Sequence, residues 1–280
     1  YGEGWQMGDE STQNFPMASF TNAMEMEGMG FFNDWYRDIV RGKTSDHDQT
    51  PRGYLLNSSG HRDGFKYCYL GSSFEHYITR RFIDPQQSIN YIECHDNGTI
   101  YDKLEVAMPE ESHEARLERI KMINAVVIAS FGVPFIHMGQ EIGLTKKNWQ
   151  NTYKAGDDLN KMDYAILDER FELARYVSDA IKLRRQLAFF QERDLAKIEQ
   201  IVTFEDLEHN ALKISYDLSS YDEGFKDFLI FLNPSQETIY YDLDEYYQIL
   251  FASGGNVLSS KTFVKHVMIK ARSFLILILK

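Results

Sequence analysis

Cysteine is scarce. Cys68 and Cys94 are the two in 280 residues, too few for a disulfide framework. A reduced pair is expected, with a single bridge left open. Six prolines and 18 glycines exclude a collagen-like or linker-dominated chain. No apolar run approaches the roughly 20 residues a membrane span needs. The run Phe274 to Leu279 is six residues long and suits a buried strand. Basic residues are also short: Lys+Arg 30 against Asp+Glu 42 gives a net charge of -12. A phosphate backbone or an anionic membrane would be repelled, so neither nucleic acid nor membrane is an expected partner. No signal peptide and no initiator Met open the chain, which starts Tyr1-Gly2-Glu3-Gly4-Trp5. The start therefore reads as an interior piece of a longer protein, and localisation is not legible from it, with the cytoplasm favoured over secretion.

What is present is a globular composition, 43% hydrophobic and 26% charged. The length gives room for one large domain or two ordinary ones. Aromatics reach 14%, with 17 Tyr, 19 Phe and 3 Trp. Most are expected in a core, and some could line a site for a ligand with flat apolar faces, such as a sugar ring.

Along residues 1–195, strand-like runs alternate with helical stretches. Residues 10–28 are polar with a methionine-rich patch, and 43–64 are turn-rich. Residues 74–82 are irregular and aromatic. Ser88 to Cys94 reads as a strand ended by the turn residues His95-Asp96-Asn97-Gly98. A helix is expected from Ser112 to Ser130, with Ser112 as N-cap but no capping box, since Ala115 stands where Glu would complete it. Gly132 to Met138 reads as the next strand. A polar loop over 143–165 then leads to a helix from about 168 to 190. Residues 196–280 change character. Closely spaced strands at 212–216, 228–232, 238–242, 247–251, 262–269 and 273–279 predict a small antiparallel β-sandwich. Parallel β/α architecture followed by an all-β domain is the expected organisation. In a (β/α)8 barrel, chemistry sits where strands end. Glu3, Asn33-Asp34, His95-Asp96 and Gln140-Glu141 all fall at such positions.

These segments resemble a known family. Tyr1-Gly2-Glu3-Gly4-Trp5 is similar to the acid-catalyst motif of type I pullulanases, in the α-amylase superfamily. Gly30-Phe31-Phe32-Asn33-Asp34-Trp35-Tyr36-Arg37-Asp38 resembles the stretch that follows it there. Asn90 to Leu104 resembles the histidine–aspartate region. Gly132 to Glu141 resembles the strand-8 motif, and Asn151-Thr152-Tyr153 through Tyr164 the loop after it. The motifs are collinear and cover roughly residues 1–165. The resemblance implies the second half of a (β/α)8 TIM-type barrel, strands 5–8, over residues 1–195, and the C-terminal β-sandwich domain over 196–280. It implies hydrolysis of α-1,6 linkages in pullulan, branched dextrins, glycogen or starch.

Such hydrolysis needs one carboxylic acid to protonate the leaving oxygen. A retaining enzyme needs a second carboxylate as nucleophile, about 5–5.5 Å away. Taken alone, Glu3 is a solvated glutamate, and His95-Asp96-Asn97-Gly98 is a turn chosen for its backbone. The resemblance makes Glu3 the acid/base and Asp96 the carboxylate that stabilises the transition state. It makes His95 a donor to a sugar hydroxyl. Trp5, Asn97, Tyr153, Asp157 and Asn160 are the further expected sugar contacts. Asn33, Asp34 and Arg37 are expected to brace the barrel rather than touch substrate, and Glu141 to support the site. Cys94 beside His95 is expected to be a small buried residue rather than a nucleophile, because adjacent strand residues face opposite ways. No cofactor is required. No metal ligand set is assignable, and calcium is left open because scattered Asp and Glu specify no site by spacing.

The chain departs from the family in one respect. The nucleophilic aspartate and its arginine, and an earlier asparagine–histidine region, precede the acid-catalyst motif in that family. They are absent here, so the chain alone is expected to be inactive and to need the N-terminal half of the same protein. The alternatives are a carbohydrate-binding or structural fragment, and a related isoamylase- or α-amylase-type activity.

Overall fold

The computed structural model describes residues 1–5, 17–44, 48–75, 79–221, 223–256 and 261–280. Parts of three stretches read above (10–16, 45–47 and 76–78) lie outside the described residues.

A small parallel sheet comes first. Gly2 bridges Phe31 of β1 (Phe31–Phe32), β1 pairs with β2 (Ser88–Asn90), and β2 pairs with β3 (Val133–Pro134), all parallel. Spatial order follows chain order. Parallel neighbours require crossovers, and helices supply them. Between β1 and β2 run α1 (Asp34–Arg41) and α2 (Arg62–Tyr69), and between β2 and β3 run α3 (Ile100–Ala107) and α4 (His113–Ala129). Caps set their starts. The Asn33 side chain accepts from the Tyr36 amide, Thr99 and Asp102 form a capping box, and Ser112 accepts from Ala115 with no box, as expected. From Arg119 onward α4 is buried on nearly all sides, because α3, α7 and the C-terminal strand β10 all pack against it.

Beyond β3 come α5 (Asp157–Asn160), α6 (Tyr164–Glu169), α7 (Phe171–Gln186) and α8 (Leu195–Ile201). The single helix expected over 168–190 is broken at Arg170 and stops at Gln186. Arg170 turns its guanidinium to the carbonyls of Ile142 and Gly143, at 3.0 and 2.9 Å. The chain then extends at Leu187 so that Phe189 and Phe190 pack on Tyr216 and Phe228.

The C-terminal strands are β4 (Val202–Asp206), β5 (Leu212–Asp217), β6 (Asp227–Asn233), β7 (Ile239–Ala252), β8 (Gly255–Asn256), β9 (Phe263–Ile269) and β10 (Ser273–Leu279). They form one antiparallel sheet, ordered β4-β5-β6-β10-β7-β8, with β9 on β7. The runs at 238–242 and 247–251, read as separate strands, belong to one strand. β7 pairs with β9 in its first part and with β10 in its second, so it passes from one layer to the other. Ile214, Phe228, Ile230, Ile276 and Ile278 join the core shared with the helices. Leu229, Phe231 and Leu277 meet Ile239, Val267 and Ile269 on the other face. Burial on both faces is why Phe274 to Leu279 is continuously apolar. One apolar core runs from Tyr36 to Ile278 and includes residues on both sides of position 195. Cys68 and Cys94 are free thiols. Among the described residues, no helix is long and apolar enough to cross a membrane.

Candidate active site

A parallel sheet brings the C-terminal ends of its strands to one edge. Here that edge collects Glu3 after Gly2, Asn33 after β1, the 91–97 segment after β2 and the 135–137 segment after β3. Ring edges tie these ends together. Phe32 lies edge-on to Tyr1, Tyr91 and Phe135, with centroids 6.0, 5.3 and 5.1 Å away.

Glu3 is exposed, and one of its oxygens, Oε2, accepts from the Trp5 indole Nε1 at 2.6 Å. Trp5 is in turn edge-on to Phe20 at 5.4 Å. Between them Gly4 has φ +83, and a Cβ there would lie 2.7 Å from the Phe20 ring. Only glycine allows this close approach. Arg81 places its guanidinium 4.0 Å from both the Phe20 and Trp35 rings and hydrogen-bonds Asn33 Oδ1 and Asp34 Oδ1. Asn33 is buried and also donates to the hydroxyls of Ser72 and Ser88. Arg37 donates to the Tyr91 hydroxyl and pairs with Asp38. Asn33, Asp34 and Arg37 are thus tied to Ser88, Arg81 and Tyr91.

His95 and Asp96 leave the same edge. Their side chains are half exposed, with His95 Nδ1 3.3 Å from Asp96 Oδ1. Asn97 takes the left-handed conformation, φ 59, that closes the turn. The 151–160 loop folds against this turn. Asp96 bridges Asn151, and the Thr152 amide donates to the His95 carbonyl at 3.3 Å. The exposed Tyr153 ring stands edge-on to His95 at 5.9 Å. A cleft of about 370 Å³ lies beside it, lined by His137, Lys146, Asn160 and Lys161 among others.

No family model matches the chain. The pullulanase of Bacillus subtilis (strain 168) is 33% identical over 240 residues, covering 85% of this chain and 33% of the relative. Pullulanase 1, chloroplastic, of Arabidopsis thaliana is 24% identical over 205 residues, covering 59% of this chain and 21% of the relative. The solved type I pullulanase of Bacillus subtilis complexed with maltose superposes with a TM-score of 0.90 at 30% identity, covering 99% of this chain and 39% of that one. The pullulanase of Anoxybacillus complexed with maltotetraose gives 0.88 at 27% identity, covering 100% of this chain and 39% of that one. The chain belongs to the pullulanase family. Members of that family are glycoside hydrolases acting on α-1,6 bonds. The chain spans about a third of the length of the Bacillus subtilis relative.

In this pullulanase-family chain the expected sugar contacts divide. His95, Asp96 and Tyr153 are brought together, and Glu3 with Trp5 shares their sheet edge. Asp157 is exposed at the start of α5. Asn160 donates its amide to the carbonyls of Thr152 and Ala155, at 2.7 and 2.9 Å, and so closes its own loop. Glu141 accepts from the Gly139 amide and steadies the turn after β3. Cys94 is half-buried, and burial pushes its thiol up, which keeps it protonated and a poor nucleophile.

Three residues that carry the turn were not singled out from the sequence. Glu93 is buried; its carboxylate accepts from the Ile100 amide at 2.6 Å and lies 3.2 Å from His137 Nδ1. Asp102 is buried and accepts from the amides of Thr99 and Lys146. Lys146 is the third. The Thr99-x-x-Asp102 capping pattern was a legible signal for Asp102, whereas Glu93 reads as any strand residue.

Arg41 and Lys103 are buried beneath the turn. Arg41 donates to the Gly98 carbonyl at 3.3 Å, and Lys103 Nζ to the carbonyls of Lys43 and Gln49 at 3.1 and 2.7 Å. Burial first, then the Arg41 charge, lowers the Lys103 ammonium to about 7, against the opposing pull of Asp48 and Asp38. An unfolded lysine keeps its proton to roughly pH 10.4. Between the two values the unfolded chain holds more protons, so stability rises with pH there and gains nothing from this group below about pH 7. The thermal midpoint is therefore expected to be higher at about pH 9 than at about pH 7, with the difference reduced in Lys103→Met. Equal pH dependence in both proteins would remove Lys103 as its source.

Proposed function

We propose that this chain supplies the acid/base side of a retaining α-1,6-glucan debranching site. Residues 1–195 form strands 5–8 and their helices in a (β/α)8 barrel, and 196–280 form the all-β domain behind it. One observation carries this reading: the segments at Gly2, β1, β2 and β3 run parallel and in chain order, so Glu3 and the His95–Asp96 turn emerge from one edge. That edge is where barrel enzymes place their chemistry.

Glu3 protonates the exocyclic oxygen leaving C1, and later takes the proton from the attacking water. A carboxylate on the remainder of the protein forms the glycosyl-enzyme bond. Asp96, with His95, holds ring hydroxyls and stabilises the oxocarbenium-like transition state. Trp5, Asn97 and Tyr153 face the sugar, with Asp157 and Asn160 shaping the distal loop. The substrate class is a branched α-glucan: pullulan, branched dextrins, glycogen or starch. The maltose and maltotetraose complexes of the solved relatives support that class. The N-terminal half of the same protein completes the barrel. Tyr1, 89% exposed, and Val133, 40% exposed, stand at the two sheet edges where it would join.

The isolated 280-residue chain is expected to release no reducing sugar from pullulan, while the full-length protein does. Pullulan hydrolysis by the pure chain would show that the nucleophile lies within it. Maltotetraose binding by the isolated chain, equal to that of an inactive full-length protein, would favour a binding module instead.

A further inference from the structure

We propose that Lys146 is the positioning residue of the His95–Asp96 turn, an inference that rests on the debranching reading above. The side chains of His95 and Asp96 are 51% and 50% exposed and pair with each other. Little packing holds them, so their aim is inherited from the backbone of the turn. Lys146 fixes that backbone. Its Nζ donates to the His95 carbonyl at 2.7 Å and to the Cys94 carbonyl at 3.3 Å, the peptide groups on either side of His95. The His95 carbonyl also accepts from the Thr152 amide, and Asp96 bridges Asn151. The His95 carbonyl is thus the shared acceptor at which the Lys146 ammonium and the segment that carries Tyr153 both hold the turn.

The strut is held at both ends. The Lys146 amide donates to Asp102 Oδ2 at 3.1 Å, and the same oxygen accepts from the Thr99 amide at 3.0 Å, so the root of the side chain is pinned to the start of α3. Lys146 is 4% exposed, and its ammonium spends these bonds on carbonyls rather than on a carboxylate. A charged donor is stronger and less easily rotated away than a neutral one. It also sets a positive charge behind the turn that displays Asp96. Burial lowers its affinity for the proton, against the opposing charges of Glu93, Asp102 and Asp96.

The test uses the full-length protein with Lys146→Met, Lys146→Gln and Lys146→Ala. In Lys146→Met, kcat on pullulan is expected to fall about 100-fold with KM changed far less, the pattern of a misaimed group. Amide hydrogen exchange at residues 95–97 and 152 should quicken at least ~10-fold while α4 stays protected. Lys146→Gln, which keeps one neutral donor, should fall between wild type and Lys146→Met, and it serves if Lys146→Met does not fold. Lys146 lines the open cleft of about 370 Å³, so ethylammonium can reach the space left in Lys146→Ala and should restore part of kcat. Unchanged exchange at the turn in the folded variants would overturn the proposal, as would a kcat loss matching only the fraction unfolded. If the wild type neither binds maltotetraose nor cleaves pullulan, the debranching reading fails, while the exchange measurement still decides the role of Lys146.

Discussion

Glu3→Gln in the full-length protein is expected to lower kcat on pullulan by about 100- to 10,000-fold, the range for losing a positioned general acid. Glutamine keeps the size of the side chain and can still meet the Trp5 indole through its carbonyl oxygen, so the local fold should persist. What disappears is the proton for a leaving sugar oxygen, which departs poorly as an alkoxide. A substrate with a good leaving group, such as an aryl α-glucoside, needs little protonation and should lose far less in its first step. The ratio of the two losses is the informative quantity. Equal loss on both substrates would mean that Glu3 organises the site rather than donating a proton, and no loss on either would remove it from the mechanism. Progress curves with each substrate, alongside a thermal melt, make the comparison.

Arg119→Met is expected to cause the largest loss of stability. Arg119 is fully buried in α4 and makes a bidentate pair with the buried Glu111. Its remaining donors reach the carbonyls of Leu55 and Pro234, at 2.6 and 2.8 Å. One guanidinium thus links α4 and the short helical turn Tyr54–Leu56 to the corner between β6 and β7. Removing it leaves a buried carboxylate with its main partner gone and two carbonyls without donors. Breaking a buried pair from one side costs about 3–5 kcal/mol, and the thermal midpoint should fall by roughly 10 °C. Arg272, 3.5 Å from Glu111, offsets only part of this. The double variant Arg119→Met/Glu111→Leu should be more stable than Arg119→Met, because no buried charge is then left over. If Arg119→Met melts within a degree or two of wild type, the pair is not the joint described here.

Legibility in the sequence differed from element to element. α4 showed its start in Ser112 and its length in regularly spaced apolar residues, since capping and periodicity are local. Phe274 to Leu279 read as a buried strand because both of its faces meet side chains. The break at Arg170 was illegible. It depends on carbonyls of Ile142 and Gly143, which approach only in the folded chain. The unity of β7 was hidden for a similar reason: its polar middle, 242–246, looks like a turn until β9 and β10 take the two ends.

The site divides along the same line. Glu3, Trp5, His95 and Asp96 could be named from motifs, because their chemistry is written in residue type and order. Lys146 and Glu93 could not be ranked, because a buried ion looks like a surface ion until its partners are known. By itself the sequence determined the family and the parallel-then-antiparallel order of the elements, both of which follow from local pattern. The tertiary structure alone decided which strand ends share an edge, which polar side chains are spent on backbone and which cations lie beneath the turn. Those depend on contacts between residues far apart in the chain, and no local pattern encodes them.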